Sequence, residues 1–275
     1  MWSPAQPLDI EVRLLIEAIR ERYGYDFRSY AEDSIQRRIE AAAAKVGAKH
    51  LGELQHRILH EPDTFAAALD VLTVRVTEMF RDPGFYRALR ELVVPVLRTY
   101  PQLKIWHAGC ASGEEAYATA VLLAEAGLYE RSQIYATDIS SVAVQQARDG
   151  VYSAASFEKF AENYEASGGS DLGRYFSQAY GSVSVLPSLK RNVHVFQHDL
   201  VSDYSPGEMQ LVFCRNVLIY FGGSLRSRVL SLFDDALSRG GFLCLGASEA
   251  LPIEARQTYQ EISAPLRIYQ RRSAT

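Results

Sequence analysis

The spacing of apolar residues divides the chain into two stretches of different period. Over the first hundred residues the period is helical. Leu14, Leu15, Ala18 and Ile19 recur at helical spacing until "YGYDF" breaks the pattern around Gly24. "SIQRRIEAAAAKVG" resumes it, with Ile35, Ile39 and Ala42 on one side and Gly47 placed as a C-cap. "HLGELQHRILHEPDTFAAALDVLT" predicts two short helices divided at Pro62, and "DPGFYRALRELVVPVLRTYP" predicts one more.

Short apolar runs then alternate with helical patterns. "LKIWHAG" is a strand-like run ending in a loop, followed by a helix from about Gly113 to Ala126. "SQIYATD" is a second run, ending at Asp138, and "SSVAVQQARDG" is a helix with Ser140 as its N-cap. "NVHVFQHDL", "MQLVFCRN", "FLCLGAS" and "PLRIYQRR" are further strands. "SLRSRVLSLFDDALSRGG" reads as a helix ended by its glycine pair. Such alternation predicts an α/β fold with a parallel sheet covered on both faces. Residues 151–192 interrupt it with a Ser/Gly tract, "EASGGSDLG", and the alternating "YGSVSVLP", which predict a small antiparallel excursion.

Composition narrows the function classes. The chain has 275 residues, 48% hydrophobic and 23% charged, ordinary for a globular protein. Its net charge of -4 argues against general nucleic-acid binding, which needs a basic field. Cys110, Cys214 and Cys244 lie in or beside apolar runs without zinc-ligand spacing, which predicts buried thiols and a reducing cytoplasm. No signal peptide and no apolar run of membrane-spanning length is expected.

In open α/β sheets ligands sit beyond the C-terminal strand ends, where the strand order reverses. Three features fall there. The loop Gly109-Cys110-Ala111-Ser112-Gly113 lets a ligand approach the backbone. Asp138 suits a ribose diol, since a carboxylate accepts two hydroxyl hydrogen bonds. Asp199 and Leu200 offer an acceptor and an apolar face for an adenine. The loop lacks the G-x-G-x-x-G and P-loop patterns, so phosphate cradling is unsupported. Glu114 and Glu115 would repel a phosphate but suit S-adenosylmethionine, which carries an ammonium and a sulfonium. They would also suit a bare helix N-terminus through its dipole.

"TEMFRDPGFY", "IWHAGCASGEEAYATA", "ATDISSVAVQQARDGVY" and "VFCRNVLIYF", in this order, resemble the motifs of the CheR family of chemotaxis receptor methyltransferases. The likeness runs from about residue 10 to 270. It implies an N-terminal all-α domain (1–85) and a class I S-adenosylmethionine-dependent methyltransferase domain (86–275). The latter would hold a mostly parallel seven-stranded sheet and a small β-subdomain inserted at about 172–198. It implies a cytoplasmic enzyme, expected as a monomer, that transfers methyl to glutamates of methyl-accepting chemoreceptor cytoplasmic domains, giving γ-carboxyl methyl esters and S-adenosylhomocysteine. By the same likeness Arg75, Thr77, Arg81, Gly109, Glu114, Asp138, Asp199, Leu200, Asn216 and Val217 hold the cofactor. Arg81 and Tyr220 stand nearest the chemistry, with Arg215 close by.

The chain departs from the family pattern at Arg75, where Asn is usual, and at Met79, Ala116 and Asp199, where Phe, Pro and Asn are common. Arg37 and Arg38, with Lys45 and Lys49, offer a basic helix face for glutamate-rich receptor helices, or a solvated face with no partner. Taken without the resemblance, Arg81 would pair with Asp82 or Glu78, and Tyr220 would be a packing aromatic. A methyltransferase for another protein or a small molecule, and a sensor that binds S-adenosylmethionine or S-adenosylhomocysteine without turnover, remain alternatives.

Overall fold

The computed structural model describes residues 7–28, 32–73 and 77–272. Its helices are α1 (Pro7–Tyr23), α2 (Glu32–Val46), α3 (Leu51–His60), α4 (Pro62–Leu72), α5 (Pro83–Ala88), α6 (Val94–Leu97), α7 (Glu114–Glu125), α8 (Ser141–Asp149), α9 (Ala154–Ala166), α10 (Pro187–Lys190) and α11 (Gly223–Ala236). Its strands are β1 (Leu103–Ala108), β2 (Ser132–Asp138), β3 (Val151–Ser153), β4 (Phe176–Ala179), β5 (Ser182–Val185), β6 (Val193–Gln197), β7 (Met209–Cys214), β8 (Leu237–Leu245), β9 (Tyr259–Ser263) and β10 (Ile268–Arg271). The chain forms two compact units, residues 1–74 with 220–229 and residues 75–219 with 230–275.

The first unit is helical. Leu15 and Ile19 of α1 and Ile35, Ile39 and Ala42 of α2 are buried, while Leu14 is 52% exposed. The α2 helix stops at Gly47, which takes φ +71°, and the Ala48 N–H closes back on Ala43 O at 2.9 Å. A glycine takes this left-handed conformation without the backbone strain that a Cβ brings. Pro62 opens α4 at the first turn, where its missing N–H has no intrahelical acceptor to lose. Two of the expected basic residues serve packing. Arg38 donates to Val71 O and Thr73 O at 3.3 and 3.4 Å, and Lys45 pairs with Asp70. Arg37 stays exposed on α2, donating to Asp33 O at 3.1 Å.

The second unit carries a seven-stranded sheet in the order β6-β2-β1-β7-β8-β10-β9. The pairs from β6 through β8 are parallel, and β10 runs antiparallel to both β8 and β9. The buried centre includes Trp106, Phe213, Phe242 and Leu243. A separate sheet, β3-β5-β4, is antiparallel. This is the class I methyltransferase architecture with its small inserted sheet.

Three local features depart from the period reading. The predicted helix at 83–101 is broken at Leu89–Val93 by a π-turn, in which Val94 N–H reaches Leu89 O, five residues back. Pro95 sits just beyond, and its lack of an N–H and its ring disfavour a regular turn there. Gly240 and Gly241 do not end α11; they lie within β8. There the register with β7 shifts between Met209 and Leu211, and a Cβ on Gly241 would stand 3.1 Å from Gln210 O. The pair is therefore a bulge with close backbone approach. The excursion also contains a helix, α9, whose N-cap Ser153 accepts from Ser156 N at 3.0 Å.

Candidate cofactor site and its supporting ion pairs

β1 lies between β2 and β7, so the strand order reverses there, and in open α/β sheets ligands bind beyond the C-terminal strand ends at such a point. The loop after β1 is wound tightly: Gly109, Ala111 and Gly113 take φ values of +83°, +46° and +91°. The Gly109 and Cys110 N–H groups both donate to Thr137 O at 2.8 Å, tying the loop to the end of β2. A Cβ on Gly109 would lie 2.4 Å from Val217 Cγ2, so only glycine allows the two strand-end loops to approach this closely.

The two carboxylates that open α7 have different surroundings. Glu114 is buried; Ser112 donates to its Oε1 at 2.9 Å, and its Oε2 has no hydrogen-bond partner. Burial pushes its carboxyl up to about 7. Glu115 receives Arg215 Nη1 on Oε2 at 3.0 Å and lies 3.1 Å from His107 Nδ1 through Oε1. Burial alone would raise this group, but His107 and Arg215 more than offset it, and it sits below the usual carboxylate range. Arg215 continues the chain, donating to Asp82 Oδ2 at 2.6 Å, and its guanidinium lies 4.1 Å over the Phe85 ring.

Asp138, at the end of β2, accepts Ala111 N on Oδ2 at 2.9 Å and Ser140 N on Oδ1 at 3.0 Å. Ser140 in turn caps α8, accepting from Ala143 N at 3.1 Å, as its position in the sequence predicts. Asp199 is half-buried and closes its own turn, accepting from Val201 N at 2.9 Å and Ser202 Oγ at 3.0 Å, with Leu200 buried beside it.

Asn216 takes φ +62° directly after Arg215. Its N–H donates to Glu249 Oε2 at 2.9 Å, as does Gly246 N at 2.6 Å, while Ile219 N donates to Oε1 at 3.3 Å. Glu249 is thus a buried organiser of the Asn216–Val217 loop that sequence reading missed. The available signal was a lone acid among small residues, "GASEA", at the end of an apolar strand.

Of the remaining candidates, Thr77 is half-buried and Arg81 is exposed in the second unit. Tyr220 belongs to the helical unit, where its ring is buried and tilted against Phe27 with centroids 6.5 Å apart. Arg75 lies outside the described residues. Among the described residues there is no cluster of metal-binding side chains, and no helix is long and apolar enough to cross a membrane.

The geometry fits S-adenosylmethionine. A buried carboxylate oxygen without a partner suits its ammonium, and an acceptor at the end of β2 suits its ribose. Residues 75–268 match the family described as "CheR methyltransferase, SAM binding domain", and residues 10–73 match "CheR methyltransferase, all-alpha domain". "Putative methyltransferase Cher3" of Pseudomonas putida is 46% identical over 265 residues, covering 96% of this chain and 97% of that one. "Uncharacterized 104.1 kDa protein in hypE 3'region" of Rhodobacter capsulatus is 33% identical over 253 residues, 89% of this chain but 26% of that one. "Chemotaxis protein methyltransferase 1" of Pseudomonas aeruginosa is 32% identical over 232 residues, covering 79% and 81%. With both of its units matched, the chain belongs to the CheR methyltransferase family, whose methyl donor is S-adenosylmethionine.

Proposed function

We propose that the protein methylates glutamate side chains of chemoreceptor cytoplasmic domains, giving γ-carboxyl methyl esters. One observation supports the cofactor half of this reading above the rest: Glu114 Oε2 is buried without a partner beside a loop that contains no cation. The receptor half rests on the family and on relatives named as chemotaxis protein methyltransferases.

S-adenosylmethionine supplies a methyl group on a positively charged sulfur. A substrate glutamate has an unperturbed pKa of about 4.3 and is already ionised at neutral pH, so transfer needs no general base. The protein's task is alignment of oxygen, carbon and sulfur, which is worth on the order of 7–11 kcal/mol in well-oriented systems. Glu114 pairs with the ammonium, Asp138 takes the ribose, and the Gly109–Gly113 loop admits the cofactor against its backbone. Arg81 holds one oxygen of the substrate carboxylate by a charge-assisted hydrogen bond, leaving the other oxygen to attack.

The test uses methyl-labelled S-adenosylmethionine and a chemoreceptor cytoplasmic fragment. Label that enters the receptor and leaves as methanol in mild alkali identifies a carboxyl methyl ester. Arg81→Ala is expected to abolish transfer with the fold intact. Alkali-stable label, or a folded and fully active Arg81→Ala protein, would reject the reading.

A further inference from the structure

Arg215 was a candidate for direct chemistry, but its guanidinium is committed elsewhere. Its side chain is only 5% exposed, one nitrogen bonds Glu115, another bonds Asp82, and its face lies over Phe85. Asp82 is the residue next to Arg81. It takes φ +61°, and Phe80, on the other side of Arg81, takes φ +55°. Left-handed backbone is costly for residues with a Cβ and persists where its surroundings hold it.

Those surroundings are on both flanks of Arg81. On the N-terminal side Asn163 Nδ2 donates to Met79 O at 3.2 Å. The buried Phe80 ring packs between Tyr86 and Tyr164, each with its centroid 4.9 Å away. On the C-terminal side Asp82 O accepts from Phe85 N at 2.8 Å, opening α5, and its carboxylate meets Arg215. Arg215 is itself fixed by Glu115, which is fixed by His107, whose ring stacks on Phe213 at 4.3 Å. The chain His107–Glu115–Arg215–Asp82 therefore runs from the buried sheet to the turn that carries Arg81.

We propose that Arg215 is a positioning residue: by its ion pair with Asp82 it fixes the left-handed turn from which Arg81 projects. The inference rests on the reading above, in which Arg81 holds the substrate carboxylate, and on the cofactor contact that the family likeness assigns to the same arginine. Asp82 is not a substrate ligand in this account; it is the near end of the strut. A lysine at position 215 would not replace the arginine, because a point charge cannot hold two carboxylates in a fixed fork.

The test works through Asp82, whose side chain is 50% exposed, because Arg215→Ala would leave Glu115 buried and short of a partner. S-adenosylhomocysteine is titrated calorimetrically into the wild-type protein, Arg81→Ala, Asp82→Ala, Asp82→Asn and the Arg81→Ala/Asp82→Ala double variant, with melting temperatures as the check on folding. Loss of a charge-assisted hydrogen bond weakens binding on the order of tenfold to a hundredfold. Asp82→Ala is expected to weaken binding by about tenfold without loss of fold, and Asp82→Asn, which keeps a residue tolerant of left-handed backbone, by a similar factor. The double variant should bind no more weakly than Arg81→Ala alone, since a strut with nothing to aim has no further effect. Additive losses, or wild-type binding by Asp82→Asn, would overturn the proposal. Arg81→Ala with wild-type binding and transfer would instead remove the role of Arg81 on which it rests.

Discussion

Glu114 and Glu115 are neighbours in the first turn of α7, exposed to the same helix dipole, yet one is pushed up to about 7 and the other lies below the usual range. Their difference is tertiary. Glu114 turns into the small-residue loop, where one hydroxyl meets it and one oxygen is bare. Glu115 turns toward His107 and Arg215, which compensate its burial. A buried charge with partners is scaffold. A buried carboxylate oxygen without a partner is unfavourable, and groups with pKa values shifted in this way cluster at functional sites.

The comparison breaks most visibly in stability. Glu115→Ala leaves Arg215 buried with Asp82 alone, and removal of one member of a buried pair costs about 3–5 kcal/mol. Glu114→Gln has the opposite sign at the same pH, because it removes an unfavourable charge. Urea unfolding of both variants at pH 8 measures this, and two losses of equal size would erase the distinction between the carboxylates.

The next largest effect is the pH dependence of Glu114. Its folded pKa is raised from 4.5 to about 7, so between these values the folded protein binds more protons than the unfolded chain. Stability from this group falls as pH rises through that window, by about 3 kcal/mol in total. Binding of a cationic amine runs the other way, since it needs the ionised carboxylate. Affinity for S-adenosylmethionine is expected to tighten roughly tenfold from pH 6 to pH 8. Glu114→Gln should flatten both profiles; calorimetry at several pH values follows the second, and an unchanged slope in the variant would assign it to another group.

Asp138 sharpens the contrast from the ligand side. Asp138→Ala should weaken S-adenosylmethionine binding by about 1–3 kcal/mol, the cost of a lost hydrogen bond to a charged group. Isothermal titration of the variant gives the figure directly, and full affinity would remove Asp138 from the ribose role.

The same contrast marks what the sequence makes legible. The Glu114 loop is local: a strand, five small residues and a helix start lie within one short stretch, and Asp138 ends the next strand in line. The scaffold is not local. Arg215 meets Glu115 across 100 residues and Asp82 across 133, and Glu249 reaches Asn216 across 33. No period or spacing encodes such pairs; they follow from which strands become neighbours. The alternation of strands and helices did predict the parallel sheet. Period reading failed where one residue type serves two ends, as at Gly240 and Gly241, which resemble a helix stop and form a bulge in β8. It missed β9, which runs beside β10 at the sheet edge.

The smallest expected effect isolates the one side-chain hydroxyl that meets Glu114. Burial raises the carboxyl most; its own backbone N–H and then the Ser112 hydroxyl lower it. Ser112→Ala removes that donor and leaves the charge more isolated, so the pH at which cofactor affinity reaches half its maximum should move up. A neutral hydroxyl contributes about 0.5–1.5 kcal/mol, which corresponds to roughly half a pH unit to one unit. The direction carries the argument more than the size. An upward move means that Glu114 is held ionisable by its loop and completed by the ligand. No move in a protein that keeps its fold would mean that the cofactor's own ammonium sets the profile, and the proton-linked part of the contrast between Glu114 and Glu115 would then belong to the empty protein alone.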